Sequence, residues 1–202
     1  MKNTMKNRKK PIDGGRNEFR IIAGSWRGRK FSFPTVQGLR PSHDRIRETL
    51  FNWLAMEVMG SRCLDLFAGS GALGLEALSR GAQATDFVEL NAAASRSLQQ
   101  HLSVLKCEHG KVFQGDALSV LNQLPEKNYD LVFLDPPFHQ GWLDKVLNHP
   151  RFQSVLTADA QVYIEREMDI PLPEGWLPVK EKSTSTLVYG LYRNSGDSQH
   201  SF

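Results

Sequence analysis

This 202-residue chain predicts a doubly wound α/β fold on a mostly parallel sheet, with a C-terminal antiparallel hairpin and a small N-terminal β-rich extension. Three observations predict it. Short apolar runs of β character alternate with helical patterns between residues 62 and 165. A glycine-rich turn, with Gly69, Gly71 and Gly74 in G-x-G-x-x-G spacing, joins the first apolar run to the first helical pattern. Residues 1–47 carry thirteen Lys and Arg against three acidic residues, whereas the remainder of the chain is net acidic.

The elements follow in order. Residues 1–17, rich in Lys, Asn and Gly, read as a disordered basic tail. Residues 18–41 read as the extension, a short hairpin anchored by Ile21, Trp26 and Phe31 and closed near Gly38. Ser42 is the expected N-cap of a helix whose apolar positions Ile46, Leu50, Trp53, Leu54 and Val58 recur at helical spacing up to Gly60. Strands are expected at 63–67, 84–88, 111–114, 129–134 and 160–165. Helices at 73–79, 92–106, 117–124 and 142–147 lie between them, with Asn91 capping the second. Segments 179–182 and 186–192 are spaced as a closing hairpin around Ser183-Thr184-Ser185. Residues 42–193 thus form the α/β domain, and 194–202 a second disordered tail. In such sheets ligands sit beyond the carboxyl ends of the strands, near the topological switch point.

Composition narrows the class of function. An apolar fraction of 40% supplies a real core, and no apolar run approaches membrane-spanning length. The basic N-terminus lacks the apolar segment of a secretory signal. Cys63 and Cys107 have no metal or redox spacing and read as reduced, buried thiols. A cytoplasmic, monomeric protein with no membrane partner is expected. The segregated positive charge points to a polyanionic partner. Arg20, Trp26, Arg27, Arg29, Lys30 and Arg40 are the candidate nucleic-acid contacts, the cations toward phosphates and Trp26 as a stacking platform or as the hairpin's own anchor. Arg45 and Arg47 face the same arm or pair with Asp44 or Glu48 on their own helix.

Asp65-Leu66-Phe67-Ala68-Gly69-Ser70-Gly71 ends the first strand and opens the glycine turn, where backbone can approach a ligand at a helix N-terminus. Glu89 ends the second strand twenty residues beyond Gly69, with Leu90 after it, and a carboxylate there can accept both hydroxyls of a ribose. Asp116, followed by Ala117, suits an adenine amino edge or a helix N-cap, and the two roles are compatible. A dinucleotide oxidoreductase is the rival. It would place a pyrophosphate at the turn, where the acidic Asp65 is not needed. S-adenosyl-L-methionine fits better, its ammonium pairing, directly or through water, with Asp65 or neighbouring carbonyls.

The decisive stretch is Asp135-Pro136-Pro137-Phe138, directly after the apolar run Tyr129–Leu134. Prolines fix φ and remove backbone donors, leaving bare carbonyl acceptors in a stiff loop. Asp135 adds an acceptor and Phe138 a face on which a base can stack. An exocyclic amine is a weak nucleophile because its lone pair is delocalised into the ring. Acceptors at Asp135 and the Pro136 carbonyl can hold its hydrogens and free that lone pair, and Asp135 can also take the released proton. A base reaches such a pocket only when unpaired or flipped out. Transfer to DNA adenine or protein glutamine, and an RNA-binding assembly factor with incidental methylation, are the alternatives.

Segments 20–30 (RIIAGSWRGRK), 38–54 (GLRPSHDRIRETLFNWL) and 63–81 (CLDLFAGSGALGLEALSRG), with Asp135–Phe138, closely resemble the bacterial 16S rRNA (guanine-N2) methyltransferase D family, RsmD. The likeness runs from about residue 19 to residue 193. It implies a seven-stranded, Rossmann-like class I methyltransferase sheet using S-adenosyl-L-methionine. It further implies methylation of the guanine at position 966 of 16S rRNA, within an assembling or assembled small ribosomal subunit. Ser42-His43 depart from the family pattern: Ser42 keeps the cap, and His43 is expected at the surface.

Overall fold

The structure, a computed structural model, describes residues 17–34 and 44–195. It opens with β1 (Asn17–Arg20) and β2 (Lys30–Phe33), an antiparallel pair, and then α1 (Asp44–Trp53). The alternating part comprises β3 (Arg62–Asp65), α2 (Ala72–Ser79), β4 (Ala84–Glu89), α3 (Ala92–Val104), β5 (Gly110–Gln114), α4 (Ala117–Leu121) and β6 (Tyr129–Leu134). It is completed by α5 (Trp142–Leu147), α6 (Pro150–Val155), β7 (Leu156–Glu167), β8 (Trp176–Ser183) and β9 (Leu187–Asn194). Seven strands form one sheet in the order β5-β4-β3-β6-β7-β9-β8. β3 to β7 run parallel, and β9 lies antiparallel between β7 and β8, as the expected closing hairpin. β3 and β6 are neighbours in the sheet but far apart in sequence, so the switch point opens between them.

Strand alternation divides the core between the two faces. Leu64, Leu66, Val132, Leu134, Val162 and Ile164 pack on one face with α4, α5 and α6. Cys63, Leu131, Phe133 and Tyr163 pack on the other with Ile46, Leu50 and Phe51 of α1 and Leu73 and Ala77 of α2. By the same parity Asp65, Asp135 and Glu165, at or just beyond strand ends, belong to this second face. That places three acidic residues on one side of the switch point.

Several boundaries differ from expectation for local reasons. α1 ends at Trp53, and the chain continues in turns (Leu54 and Val58 N–H groups donating to the Leu50 and Leu54 carbonyls, each at 3.0 Å). Leu54 and Val58 stay buried, so the apolar period outlasts the helix. α4 stops at Leu121, three residues short of the expected end. α6 was not expected: its signals are Pro150 at the first turn and a His149 cap that accepts from the Arg151 N–H at 3.2 Å. α6 feeds β7 directly, which makes that strand twelve residues long. Pro178 is accommodated in β8 because that strand is the sheet edge, and pairing shifts register beside it. Cys63 is buried as expected, but Cys107 is only partly buried. Ser42, His43, Gly38 and residues 1–16 of the tail expected at 1–17 lie outside the described residues, whereas Asn17 opens β1.

The N-terminal hairpin is fastened to the domain through α2. Phe19, Ile21, Phe31 and Phe33 pack on Leu75, Leu78, Leu98 and Leu102. Glu76, fully buried, accepts the Ile22 and Ala23 backbone N–H groups at 2.7 and 3.0 Å and Arg80 Nε at 2.7 Å. Gly24 has φ +81, and a Cβ there would lie 1.8 Å from the Ser79 carbonyl oxygen, so only glycine permits this approach. Arg47 closes the junction from α1, donating through Nη2 to the Arg20 carbonyl at 2.6 Å and to Asp44 at 2.8 Å. It is a buried strut paired on its own helix. Removing a buried carboxylate strands its donors. Glu76→Ala is therefore expected to destabilise the protein by about 3 kcal/mol. Denaturant unfolding checks the magnitude. Faster hydrogen exchange at the Ile22 and Ala23 amides than in the wild type would show that the hairpin itself is released.

Candidate active site

One cleft of about 820 Å³ lies over the carboxyl ends of the strands and collects nearly every chemistry-bearing residue expected from the sequence. Its first half is built on β3, β4 and β5. Gly69, Ser70 and Ala68 form the turn after β3, and Gly71 (φ 79°) starts α2 in a left-handed conformation with no side-chain cap. Gly74 is needed for packing: a Cβ there would meet the Phe87 ring at 2.2 Å. The turn thus presents bare backbone to the cleft, while α2 sits tightly on β4.

Asp65 is 2% exposed and accepts the Gly74 N–H at 3.0 Å through Oδ2. Burial pushes its carboxyl up to about 7; the Gly74 bond opposes this, and the nearby Asp135 and Glu89 charges reinforce it. Glu89 accepts the Gly69 N–H at 2.7 Å and the Asn91 N–H at 2.6 Å, one on each oxygen. A carboxylate has about four acceptor positions, so these bonds orient Glu89 and leave capacity for a diol. Asp116 caps α4, with Oδ1 accepting the Ser119 N–H at 3.1 Å, and also lines the cleft with Ala117. Leu90 is 67% exposed at the mouth. Phe67 meets Trp142 edge to face at 5.6 Å, and the pair forms one wall.

The second half is built on β6, β7 and the β8–β9 turn. Asp135, Pro136, Pro137 and Phe138 all line the cleft, and Phe138 packs beside Trp53 against the second-face core. In the same half are residues that sequence reasoning missed. Glu165, 5% exposed, accepts from the Tyr163 hydroxyl at 2.6 Å. Thr184 to Leu187 form the β8–β9 turn, tied by the Thr186 and Leu187 N–H groups donating to Thr184 Oγ1 at 3.2 and 3.1 Å. The apolar run ending at Glu165 carried no local signal of this role.

The candidate nucleic-acid residues are not part of the cleft. Arg20, Arg27, Arg29 and Lys30 are exposed on the hairpin. The Trp26 ring is part-buried against the hairpin core, which is the anchor arrangement, and its backbone N–H donates to Ser79 Oγ at 3.0 Å. Arg40 lies outside the described residues. Among the described residues no helix is long and apolar enough to cross a membrane, and no cluster of ligands could hold a metal.

The family described as conserved hypothetical protein 95 matches residues 19–193. The chain is also 42% identical, over 95% of its own length and 98% of the relative's, to the ribosomal RNA small subunit methyltransferase D of Escherichia coli K12. It belongs to the methyltransferase D family. The Haemophilus influenzae protein of the same name is 45% identical over 89% of this chain and 95% of its own. The solved structure of Escherichia coli yhhF superposes with a TM-score of 0.78 at 42% identity, covering 88% of this chain and 98% of that one. The class I methyltransferase sheet expected from the resemblance is the sheet observed.

Proposed function

We propose that this protein is an rRNA methyltransferase that places one methyl group from S-adenosyl-L-methionine on the exocyclic N2 amine of a guanine in 16S rRNA of the small ribosomal subunit, position 966 by family resemblance. One observation carries the reading. The rigid Asp135–Phe138 loop faces the glycine turn, Asp65 and Glu89 within a single cleft. The acidic-residue set fits the donor: Asp65 suits a cation, Glu89 a ribose and Asp116 an adenine edge. Phe67, Ala68, Gly69, Ser70, Leu90 and Ala117 shape the rest of its site, while Gly71 is buried behind them and starts α2.

S-adenosyl-L-methionine, when bound, supplies an electrophilic methyl carbon on a positively charged sulfur. The chain's residues do the remainder. Phe138 stacks on a flipped-out base. Asp135 and the Pro136 carbonyl accept the amine hydrogens, which raises lone-pair density on nitrogen. Holding nitrogen in line with the methyl carbon can supply roughly 7–11 kcal/mol of the barrier reduction. As the nitrogen–carbon bond forms and the carbon–sulfur bond breaks, the nitrogen's surplus proton passes to Asp135. Arg20, Arg27, Arg29 and Lys30 bind phosphates and orient the particle without reading sequence. A cytoplasmic site of action follows from this substrate.

The tetrad alone would serve adenine or glutamine equally. The relatives' name, small subunit methyltransferase, favours rRNA. Incubation with labelled donor is expected to mark small subunits lacking the modification, and not duplex DNA or protein. Mapping rRNA from cells with and without the protein should find one N2-methylguanine that depends on it. Label confined to DNA or protein would replace this reading.

A further inference from the structure

The proposed reaction accounts for Asp135 but leaves unexplained a second buried carboxylate in the same cleft. β6 and β7 run parallel with Leu134 level with Ile164, so Asp135 and Glu165 are the next residues on adjacent strands. Adjacent strands lie about 4.8 Å apart, and residues at one level point to the same face. Both side chains line the cleft. Glu165 does not hang loosely there: Tyr163, two residues earlier on the same face, donates its hydroxyl to Oε1 at 2.6 Å. That tyrosine keeps its proton, because burial and the Glu165 charge push its pKa far above the ordinary value. The result is an oriented carboxyl acceptor beside Asp135.

Two neighbouring acceptors match one base edge in particular. Guanine presents N1–H and the N2 amine side by side, both donors. Adenine presents an amine next to a bare N1 acceptor, which a carboxylate would repel. Resting on the guanine-N2 reading above, we propose that Glu165 accepts the N1–H of the flipped guanine while Asp135 holds its N2 amine, making Glu165 the specificity-determining residue and Tyr163 its positioning residue.

A site built to bond a substrate N–H rejects analogues that lack it far more strongly than a merely apolar pocket does. 2-Aminopurine keeps the N2 amine but has neither the N1 proton nor the O6 carbonyl, so the change in base preference caused by a Glu165 substitution, rather than the base swap alone, isolates the proposed contact. Small subunits are reconstituted with guanine or 2-aminopurine at the target nucleotide, and kcat/KM is compared. The wild type is expected to prefer guanine by roughly 10²-fold or more. Glu165→Gln keeps the shape, but with Tyr163 donating to the amide oxygen it turns an NH2 donor toward N1–H. Guanine methylation should then fall about 10²-fold while 2-aminopurine changes little, which collapses the preference. Calorimetric binding of S-adenosyl-L-methionine should not change. Equal losses on both bases would mean a structural role and overturn the proposal, as would a preserved preference. If Glu165→Gln does not fold, Tyr163→Phe must lower the preference by itself, and an unchanged ratio would overturn the proposal equally. A wild type inactive on guanine subunits but active on another acceptor would instead remove the substrate reading, and this inference with it.

Discussion

Asp135→Ala is expected to bind S-adenosyl-L-methionine nearly as well as the wild type and to lose methyl incorporation into small subunits by roughly 10³-fold or more. The size follows from two roles lost together. Without the carboxylate the amine hydrogens keep only the Pro136 carbonyl as an acceptor, so nitrogen remains conjugated to the ring and drifts from the line of attack. The proton released on bond formation also loses the carboxylate proposed to take it up. Asp135→Asn separates these roles, since the amide oxygen still accepts while the side chain no longer takes a proton. If acceptance dominates, Asn should recover at least tenfold over Ala; if proton uptake dominates, the two variants should be equally inactive. Single-turnover methyl transfer measures both, with calorimetry reporting cofactor binding separately. An Ala variant with wild-type turnover would take Asp135 out of the chemistry. Cofactor binding should remain because the residues proposed to hold it, Glu89, Asp116 and the glycine turn, line the other half of the cleft.

The legible half of this site is the half whose signals are local. Asp135-Pro136-Pro137-Phe138 shows in sequence because two prolines after an apolar strand interrupt any regular element. Glu89 shows because a glycine turn sets an origin from which one strand and one helix can be counted. Glu165 had no such marker. A glutamate closing an apolar run is an ordinary strand exit, and its meaning depends on the β6–β7 register, which only tertiary pairing sets. Glu76 was hidden differently: an acidic residue in a helix normally faces water, and here the hairpin covers it and supplies two backbone donors, with Arg80 at the end of its own helix as the third. Arg47 reads either as part of a basic face or as a partner of Asp44; the structure has the Asp44 pair, and adds a burial against the Arg20 carbonyl that the sequence did not show. The basic character of the extension was visible in composition. Which of its residues face solvent and which fasten it to α2 was not, because that division is made by contacts across more than fifty residues of chain.

Asp65→Asn is expected to raise the stability of the ligand-free protein above neutral pH while weakening S-adenosyl-L-methionine binding by about 10²-fold or more. The buried carboxyl sits up at about 7, against an ordinary value of 3.8. Between those values the native state holds a proton that the unfolded chain has released, so stability falls as pH rises from about 4 to about 7 and then levels off. A rise of about three units corresponds to roughly 4 kcal/mol of penalty once Asp65 is ionised. Asparagine keeps an oxygen for the Gly74 N–H and never ionises, so its melting profile should be flatter across this window, with the variant ahead of the wild type by up to that amount at pH 8. On the proposed reading the penalty has a use: a carboxylate held in low dielectric beside Asp135 and Glu89 would pair with an incoming ammonium, whose charge offsets the cost of ionisation. Wild-type affinity should accordingly strengthen up to tenfold per unit as pH rises toward 7, whereas the Asn variant should bind weakly and without that slope. Calorimetry from pH 5.5 to 8 measures the first effect and thermal unfolding over the same range the second. Tight, pH-independent binding by the Asn variant would show that the cation is met elsewhere in the cleft.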